Sequence, residues 1–160
     1  MGGWESFAVA QIGASAALAG LIFVGVSVNL ESVLKTPGAP GRAGEALLVL
    51  LQLLIVNSLI LVPDQPLSQL GLELLAIGII TWLAVIGVQW RSYSVWSQTH
   101  LAIYAPRLLL GQLATLPFIA TGIGLLLRGE GAMGWLAVGV IGAFLVAFGN
   151  AWVLLVEIKR

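Results

Sequence analysis

The sequence predicts an all-α fold, a polytopic membrane protein built as one bundle of five transmembrane helices. Hydrophobic residues make up 59% of the 160 residues and charged residues only 9%, whereas ordinary soluble domains carry about 25% charged residues. The mean hydropathy is +1.05. Several apolar segments are also long enough to cross, as helices, a bilayer core about 30 Å thick. Such a chain has too little polar surface for a water-soluble protein of this size.

The predicted spans have no Lys or Arg in their interiors, and apolar and polar residues do not alternate along them as they do in barrel strands. All of them belong to a single transmembrane domain that covers residues 1–160. No Lys or Arg precedes the first span, so a signal-peptide n-region is missing and we expect this span to be retained. The spans cover residues 7–30, 46–62, 67–90, 107–127 and 132–156.

Proline and glycine mark the connections between the spans. Residues 36–41 (TPGAPG) strongly predict a turn that ends the preceding helix. Residues 63–66 (PDQP) are predicted to end the second span and begin the third. Pro106 is expected to open the fourth helix. Pro117 lies inside that helix and is expected to kink it, because its ring removes one backbone hydrogen bond. Residues 128–131 (RGEG) separate the last two spans.

The basic residues predict the orientation of the chain. When the connections are assigned alternately to the two sides of the membrane, one side receives only Arg128. Since basic connections stay in the cytoplasm, the N-terminus is predicted outside and the C-terminus inside. Tryptophans fall near the predicted boundaries, except for Trp82 near the middle of the third span. The side predicted to be cytoplasmic carries Lys35, Arg42, Arg91, Arg107, Lys159 and Arg160.

Polar residues inside the predicted spans are candidates for a polar path or for interhelical contacts, because polar groups facing lipid are unfavourable. Counted from the charged helix ends, they fall into two layers, and some helices present polar groups to two neighbours, which favours an oligomer. Glu73 is either a proton or cation site or a glutamate that reaches the outer interface. The candidates are Gln11, Gln52, Asn57, Glu73, Gln112 and Asn150.

Small residues recur at four-residue spacing in two spans, a pattern that lets helix backbones approach closely. In the first span the pairs at this spacing are Gly13 with Ala17 and Ala16 with Gly20, and in the fifth they are Gly139 with Ala143 and Ala143 with Ala147. This pattern predicts helix packing, either within one chain or at a homo-oligomer interface or pore lining.

The third connection mixes aromatic, basic and hydroxyl residues. Tyr93, Trp96 and His100 recur at helical spacing beside Arg91, a composition typical of a helix that lies against lipid headgroups. We therefore expect these four residues to make interfacial headgroup contacts, with a pH-sensing His100 as the alternative.

The composition also argues against several classes of function. There is no cysteine and only one histidine, so we expect neither a metal site nor a cofactor. The formal net charge of zero gives no basic surface for nucleic acid. No motif for metal-dependent hydrolysis or phosphate binding is present. Residues 25–28 (GVSV) loosely resemble the surroundings of an intramembrane serine nucleophile, but no His or Asp lies in another span to activate the Ser27 hydroxyl. The protein is therefore predicted not to be an enzyme.

Residues 13–31 (GASAALAGLIFVGVSVNLE), followed by residues 37–42 (PGAPGR), resemble a group of small uncharacterised multi-span membrane proteins of bacteria, mostly of actinobacterial type. Some members carry a label as modulators of the FtsH protease. The resemblance covers roughly residues 4–47 and brings no catalytic or binding residues. It implies a multi-pass protein of the bacterial plasma (inner) membrane.

Two classes of function fit these patterns. In the first, the protein is non-enzymatic and homo-oligomeric, contacts membrane lipids, and acts as a membrane-embedded scaffold or regulator of a partner membrane protein complex. In the alternative, its oligomer is an ion channel or small-solute transporter with a polar path between helices and Glu73 near the outer mouth.

Overall fold

A computed structural model of the chain describes residues 2–96 and 101–156, without the side chains of residues 2, 93–96, 101–105 and 155. The described residues are 92% helical and form no strand. One turn of 3₁₀-helix, Gly129–Ala132, precedes the last helix. The α-helices are α1 (Gly2–Val28), α2 (Leu30–Lys35), α3 (Ala39–Ile60), α4 (Leu67–Trp96), α5 (Leu101–Arg128) and α6 (Gly134–Val156).

The predicted fold class is confirmed. Among the described helices, α1, α3, α4, α5 and α6 are each long and apolar enough to cross a membrane. The short helix α2 lies between the first two of them and carries an exposed ion pair between Lys35 and Glu31. The architecture is therefore that of a multi-pass membrane protein.

Helix α3 begins at Ala39, earlier than the predicted start of the second span near Ala46. Residues 36–41 (TPGAPG) contain both the end of one helix, α2, and the first turn of the next, α3. Gly38 has a φ of 79°, a left-handed conformation that glycine adopts without steric penalty, and Pro40 lies in the first turn of α3, where its missing N–H is not needed. As a result, Glu45 lies inside the helix rather than before it.

Helix α5 begins at Leu101, so Pro106 lies within the helix rather than opening it. The helix also continues through Pro117 to Arg128. The Pro117 carbonyl accepts a 2.8 Å hydrogen bond from the hydroxyl of Thr121, which is fully buried. Side-chain hydroxyls of this kind help a helix to continue past a proline.

Helices α3 to α6 form a closed ring of four. Helix α3 packs against α4 and α6, and α5 packs against the same two helices, so α3 and α5 lie diagonally across the bundle. Helix α1 lies outside this ring, mainly on α3. The bundle interior is filled by large apolar side chains, among them Leu50, Leu53, Leu70, Leu74, Phe118, Met133 and Leu136.

Glycines allow two of the ring's helix pairs to approach closely. A Cβ atom added to Gly122 of α5 would lie 2.6 Å from the Leu75 backbone nitrogen of α4. A Cβ atom added to Gly142 of α6 would lie 2.5 Å from the Leu113 carbonyl oxygen of α5. Since real Cβ atoms do not approach this closely, only glycine permits the observed helix spacing.

Candidate functional site

The centre of the site is the carboxylate of Glu45, which is fully buried near one end of the ring. Arg107 donates two hydrogen bonds to Glu45 Oε2, from Nε at 2.9 Å and from Nη2 at 2.7 Å. The arginine comes from α5 and the glutamate from α3, so this ion pair connects the two diagonal helices. Charge-assisted hydrogen bonds of this kind are stronger than neutral ones.

The other two helices of the ring complete the cluster. Gln89 of α4 donates from Nε2 to Glu45 Oε1 at 2.6 Å, and Asn150 of α6 donates from Nδ2 to Glu45 Oε2 at 3.3 Å. Gly111 leaves the space that the Gln89 amide occupies, because a Cβ atom there would overlap Nε2. Helix α3 thus supplies the carboxylate, and each of the other three ring helices contributes one donor side chain to it.

We call Glu45, Gln89, Arg107 and Asn150 the carboxylate cluster. It contains one acidic and one basic side chain, so its formal charge is balanced. Removing both charges from water is unfavourable, and the mutual attraction and the added amide donors offset that loss. Loss of one partner from such a pair is strongly destabilising, since it leaves the other charge buried and unpaired. The cluster therefore fixes the relative positions of four helices.

A cavity of about 170 Å³ opens beside the carboxylate cluster. Its polar wall consists of Arg42, Glu45, Arg107 and Asn150. Its remaining wall consists of Leu110, Leu145, Val146 and Gly149, of which all but Val146 are exposed on the outer face of the bundle. The cavity therefore lies between the buried charges and the outer surface of the bundle.

Of the predicted polar residues, Asn150 belongs to the carboxylate cluster, while Gln112 lies elsewhere. The Gln112 Oε1 atom accepts a 2.7 Å hydrogen bond from Trp82 Nε1. This contact joins α5 to α4 and gives the indole N–H of Trp82 a partner at membrane depth. Gln112 thus makes an interhelical contact.

Gln52 and Asn57 of α3 are both buried. Neither amide atom of Gln52 has a hydrogen-bond partner among the described residues. The Asn57 amide donates to the Leu53 carbonyl at 2.7 Å within its own helix, and its Oδ1 atom has no partner in the described part of the chain. Gln52 follows Glu45 by two helical turns on the same face of α3.

Glu73 and Gln11 lie apart from this interior. Glu73 is half-buried in α4 and accepts hydrogen bonds from Gln65 and from Gln69, the latter at 3.1 Å. Gln11 is half-buried in α1, and its backbone carbonyl accepts a 2.6 Å hydrogen bond from the Ser15 hydroxyl. The described contacts therefore do not join the six predicted polar residues into one path.

The two small-residue stripes differ in what covers them. In α6, Gly139 lies against the Phe118 ring, where an added Cβ atom would be 2.7 Å from Cε2, and Ala143 is fully buried. In α1, by contrast, Gly13, Ala17 and Gly20 are exposed. Added Cβ atoms at both of these α1 glycines would meet no described atom within 4 Å.

The packed face of α1 is opposite its small-residue stripe. The buried residues of α1 are Ala8, Ser15 and Ile22. At about 100° per residue, these three lie roughly 140–200° around the helix from Gly13. The face of α1 with the closest-packing residues therefore points away from the ring.

The predicted headgroup contacts fall mostly outside the described side chains. Arg91 is exposed near the end of α4. The side chains of Tyr93 and Trp96 and the whole of His100 lie outside the part of the chain that the structure describes. In the described part, no group of three or more His, Cys, Asp or Glu side chains could hold a metal ion.

The sequence pattern singles out Asn150 but not its partners in the carboxylate cluster. Glu45 and Arg107 lie at the predicted ends of two spans, and Gln89 is one of several polar residues near the end of a third. A signal was available: an acidic and a basic residue lie at similar predicted depth at the ends of two spans, and opposite charges at such positions tend to pair.

No family model matches the chain, and neither a curated protein nor a solved structure is significantly similar to it. The resemblance of residues 4–47 to the small bacterial membrane proteins stays a prediction.

Proposed function

We propose that the protein is a non-enzymatic integral membrane protein that works through helix association in the bilayer, first with copies of itself, as a scaffold or regulator of a membrane complex. The supporting observation is the exposed stripe of Gly13, Ala17 and Gly20 on the face of α1 that points away from the ring. In a bilayer, small residues at this spacing favour close contact with a second helix over contact with lipid.

The position of α1 supports this role. Only 17% of its most apolar window is buried, compared with 56% for α3 and 50% for α6. The same type of stripe on α6 is already filled by Phe118, so within this chain the spacing does serve helix packing. The α1 stripe offers the same surface on the outside of the bundle.

The carboxylate cluster fits the same role as a rigid support. It ties the four ring helices together through Glu45, which gives α1 a fixed platform on α3. In this proposal the N-terminal end of α1 faces away from the cytoplasm, as the distribution of basic residues predicts.

The test is the oligomeric state of Gly13→Leu in a bilayer mimetic, measured by native mass spectrometry from nanodiscs. A leucine in the stripe should hold neighbouring backbones apart and convert oligomers to monomers. The matched control is Ala14→Leu, an exposed position about 100° around the helix, which should leave the oligomer intact. A monomeric parent protein, or equal dissociation by both variants, would contradict the proposal.

Conduction is the second candidate, and Gln52 is the observation that favours it. Its amide is buried without a described partner on the same face of α3 as Glu45, and buried polar groups of this kind commonly bind water. If the interior conducts, Gln52→Leu should abolish ion or solute flux in proteoliposomes. Glu73→Gln should reduce flux only if Glu73 lies at the mouth. An absence of flux in the parent protein would remove this candidate.

A further inference from the structure

We propose that a groove on the outside of α5 and α6 binds a phospholipid with a net negative charge, whose phosphate lies beside Arg128. The groove has a volume of about 380 Å³. Arg128 is the last residue of α5 and lies about 30 Å along that helix from Arg107. The groove is therefore at the opposite end of the bundle from the carboxylate cluster.

The charge in the groove comes from Arg128, the only ionisable side chain among the described residues that line it. Arg128 is exposed and forms no ion pair in the part of the chain that the structure describes. Its guanidinium can therefore donate to a phosphate, whose oxygens match the planar arrangement of its N–H groups. Since no acidic side chain is among these lining residues, the ammonium of a zwitterionic headgroup would find no partner there.

The apolar part of the groove indicates a lipid rather than a soluble phosphate. Ala120, Gly124 and Arg128 line it at four-residue spacing, so they lie along one face of α5. Ile123 and Leu127 border this row and are 44% and 77% exposed. From Ala120 to Arg128 the row is about 12 Å long, comparable with one leaflet of a bilayer core about 30 Å thick. An acyl chain can lie along the row while the phosphate contacts the arginine.

The α6 side of the groove and the position of Arg128 in the sequence support the same occupant. Trp135 borders the groove and is 55% exposed, and tryptophan is enriched at the depth of lipid headgroups. Arg128 is also the single basic residue on its predicted side of the membrane. One substitution should therefore remove the attraction for anionic lipid on that side.

The first experiment measures lipid retention by native mass spectrometry after reconstitution in an equimolar mixture of phosphatidylglycerol and phosphatidylcholine. The parent protein should retain phosphatidylglycerol preferentially. Arg128→Gln should reduce that preference about fivefold, the value expected for roughly 1 kcal/mol per basic residue near a membrane surface. Lys35→Gln is the control, because Lys35 is an exposed basic residue that already pairs with Glu31, and it should leave the preference unchanged.

A second experiment locates the lipid and tests the groove without changing a charge. Phosphatidylglycerol with a photoreactive diazirine in its acyl chain should label residues 120–135, as mapped by peptide mass spectrometry. Gly131 lines the groove, and an added Cβ atom there would meet no described atom within 4 Å, so Gly131→Leu should fold, fill the groove and reduce this labelling. Gly87→Leu should not, because Gly87 is equally open but lies on α4, outside the groove.

Three results would overturn the proposal. The first is equal retention of the two lipids by the parent protein. The second is a preference and a labelling pattern that neither Arg128→Gln nor Gly131→Leu reduces. The third is displacement of phosphatidylglycerol by excess inorganic phosphate, which would assign the groove to a soluble anion. Helix α1 packs mainly on α3 and supplies none of the described lining residues, so this proposal and association through α1 fail separately.

Discussion

Arg107 donates two hydrogen bonds to a single oxygen of Glu45, Oε2, across the diagonal of the four-helix ring. Helices α3 and α5 are otherwise separated by α4 and α6, each of which adds an amide donor to the same carboxylate. One buried acidic side chain thus connects all four helices of the ring. Its loss should therefore affect the whole bundle rather than one helix.

Arg107→Leu should lower the free energy of unfolding by about 3–5 kcal/mol, because it leaves the Glu45 carboxylate buried and unpaired. The double variant Glu45→Leu with Arg107→Leu should recover part of this loss. Reversible unfolding in mixed micelles measures both effects. Lys35→Gln, which breaks an exposed ion pair with Glu31, is the control and should change little. An equal effect of Arg107→Leu and Lys35→Gln would show that the buried pair is not a structural centre.

Gln89→Leu and Gln52→Leu should differ in their effect on stability, although both replace a buried glutamine. Gln89 donates to Glu45 Oε1, so its loss should destabilise the bundle by about 1–3 kcal/mol. Gln52 has no described hydrogen-bond partner, so leucine there should be neutral or stabilising. Thermal unfolding in nanodiscs compares the two variants. A strongly destabilised Gln52→Leu would mean that its amide is bound by a group such as an internal water.

Gly122→Ala should destabilise the protein by about 1–3 kcal/mol, because the new Cβ atom forces two backbones apart. The nearest backbone atom, the Leu75 nitrogen, would be only 2.6 Å away. Gly149→Ala is the matched control, since the described residues leave open space beside it and alanine favours the helix. The melting temperature of each variant is the measurement. A melting temperature unchanged in Gly122→Ala would show that α4 and α5 are not so closely packed.

Trp82→Phe should lower stability by about 1 kcal/mol or less, the usual size of an interhelical hydrogen bond in a membrane protein. The indole N–H of Trp82 donates to Gln112 Oε1 at 2.7 Å. A double-mutant cycle with Gln112→Leu isolates this contact. Either substitution alone removes the hydrogen bond, so the double variant should lose less stability than the sum of the two single variants. Additive effects of the two substitutions would indicate that the pair does not interact.

The spans could be predicted from the sequence because hydropathy and length alone decide whether a helix can cross a bilayer. The start of α3 could not be predicted in this way. Residues 36–41 contain two prolines, and a proline can mark either the end of one helix or the first turn of the next. Because α3 begins at Ala39 rather than near Ala46, Glu45 lies in the interior of the bundle and not in a connection. Its partners depend on which helices are neighbours, and hydropathy does not contain that information.

The small-residue stripes show the same limit. Gly139 and Ala143 have the same four-residue spacing as Gly13 and Ala17, and this spacing predicts close packing for both stripes. Only the structure shows that Phe118 of α5 fills the first, while the described part of the chain leaves the second exposed.

The exposed α1 stripe is most directly tested by cysteine cross-linking in membranes, which needs no background substitutions because the chain contains no cysteine. Gly13→Cys should form disulfide-linked dimers rapidly under mild oxidation, whereas Ala14→Cys, and Ile22→Cys on the packed face, should form them slowly or not at all. Dimers that form equally at positions 13 and 14, or no dimers at position 13, would contradict association through this face of α1.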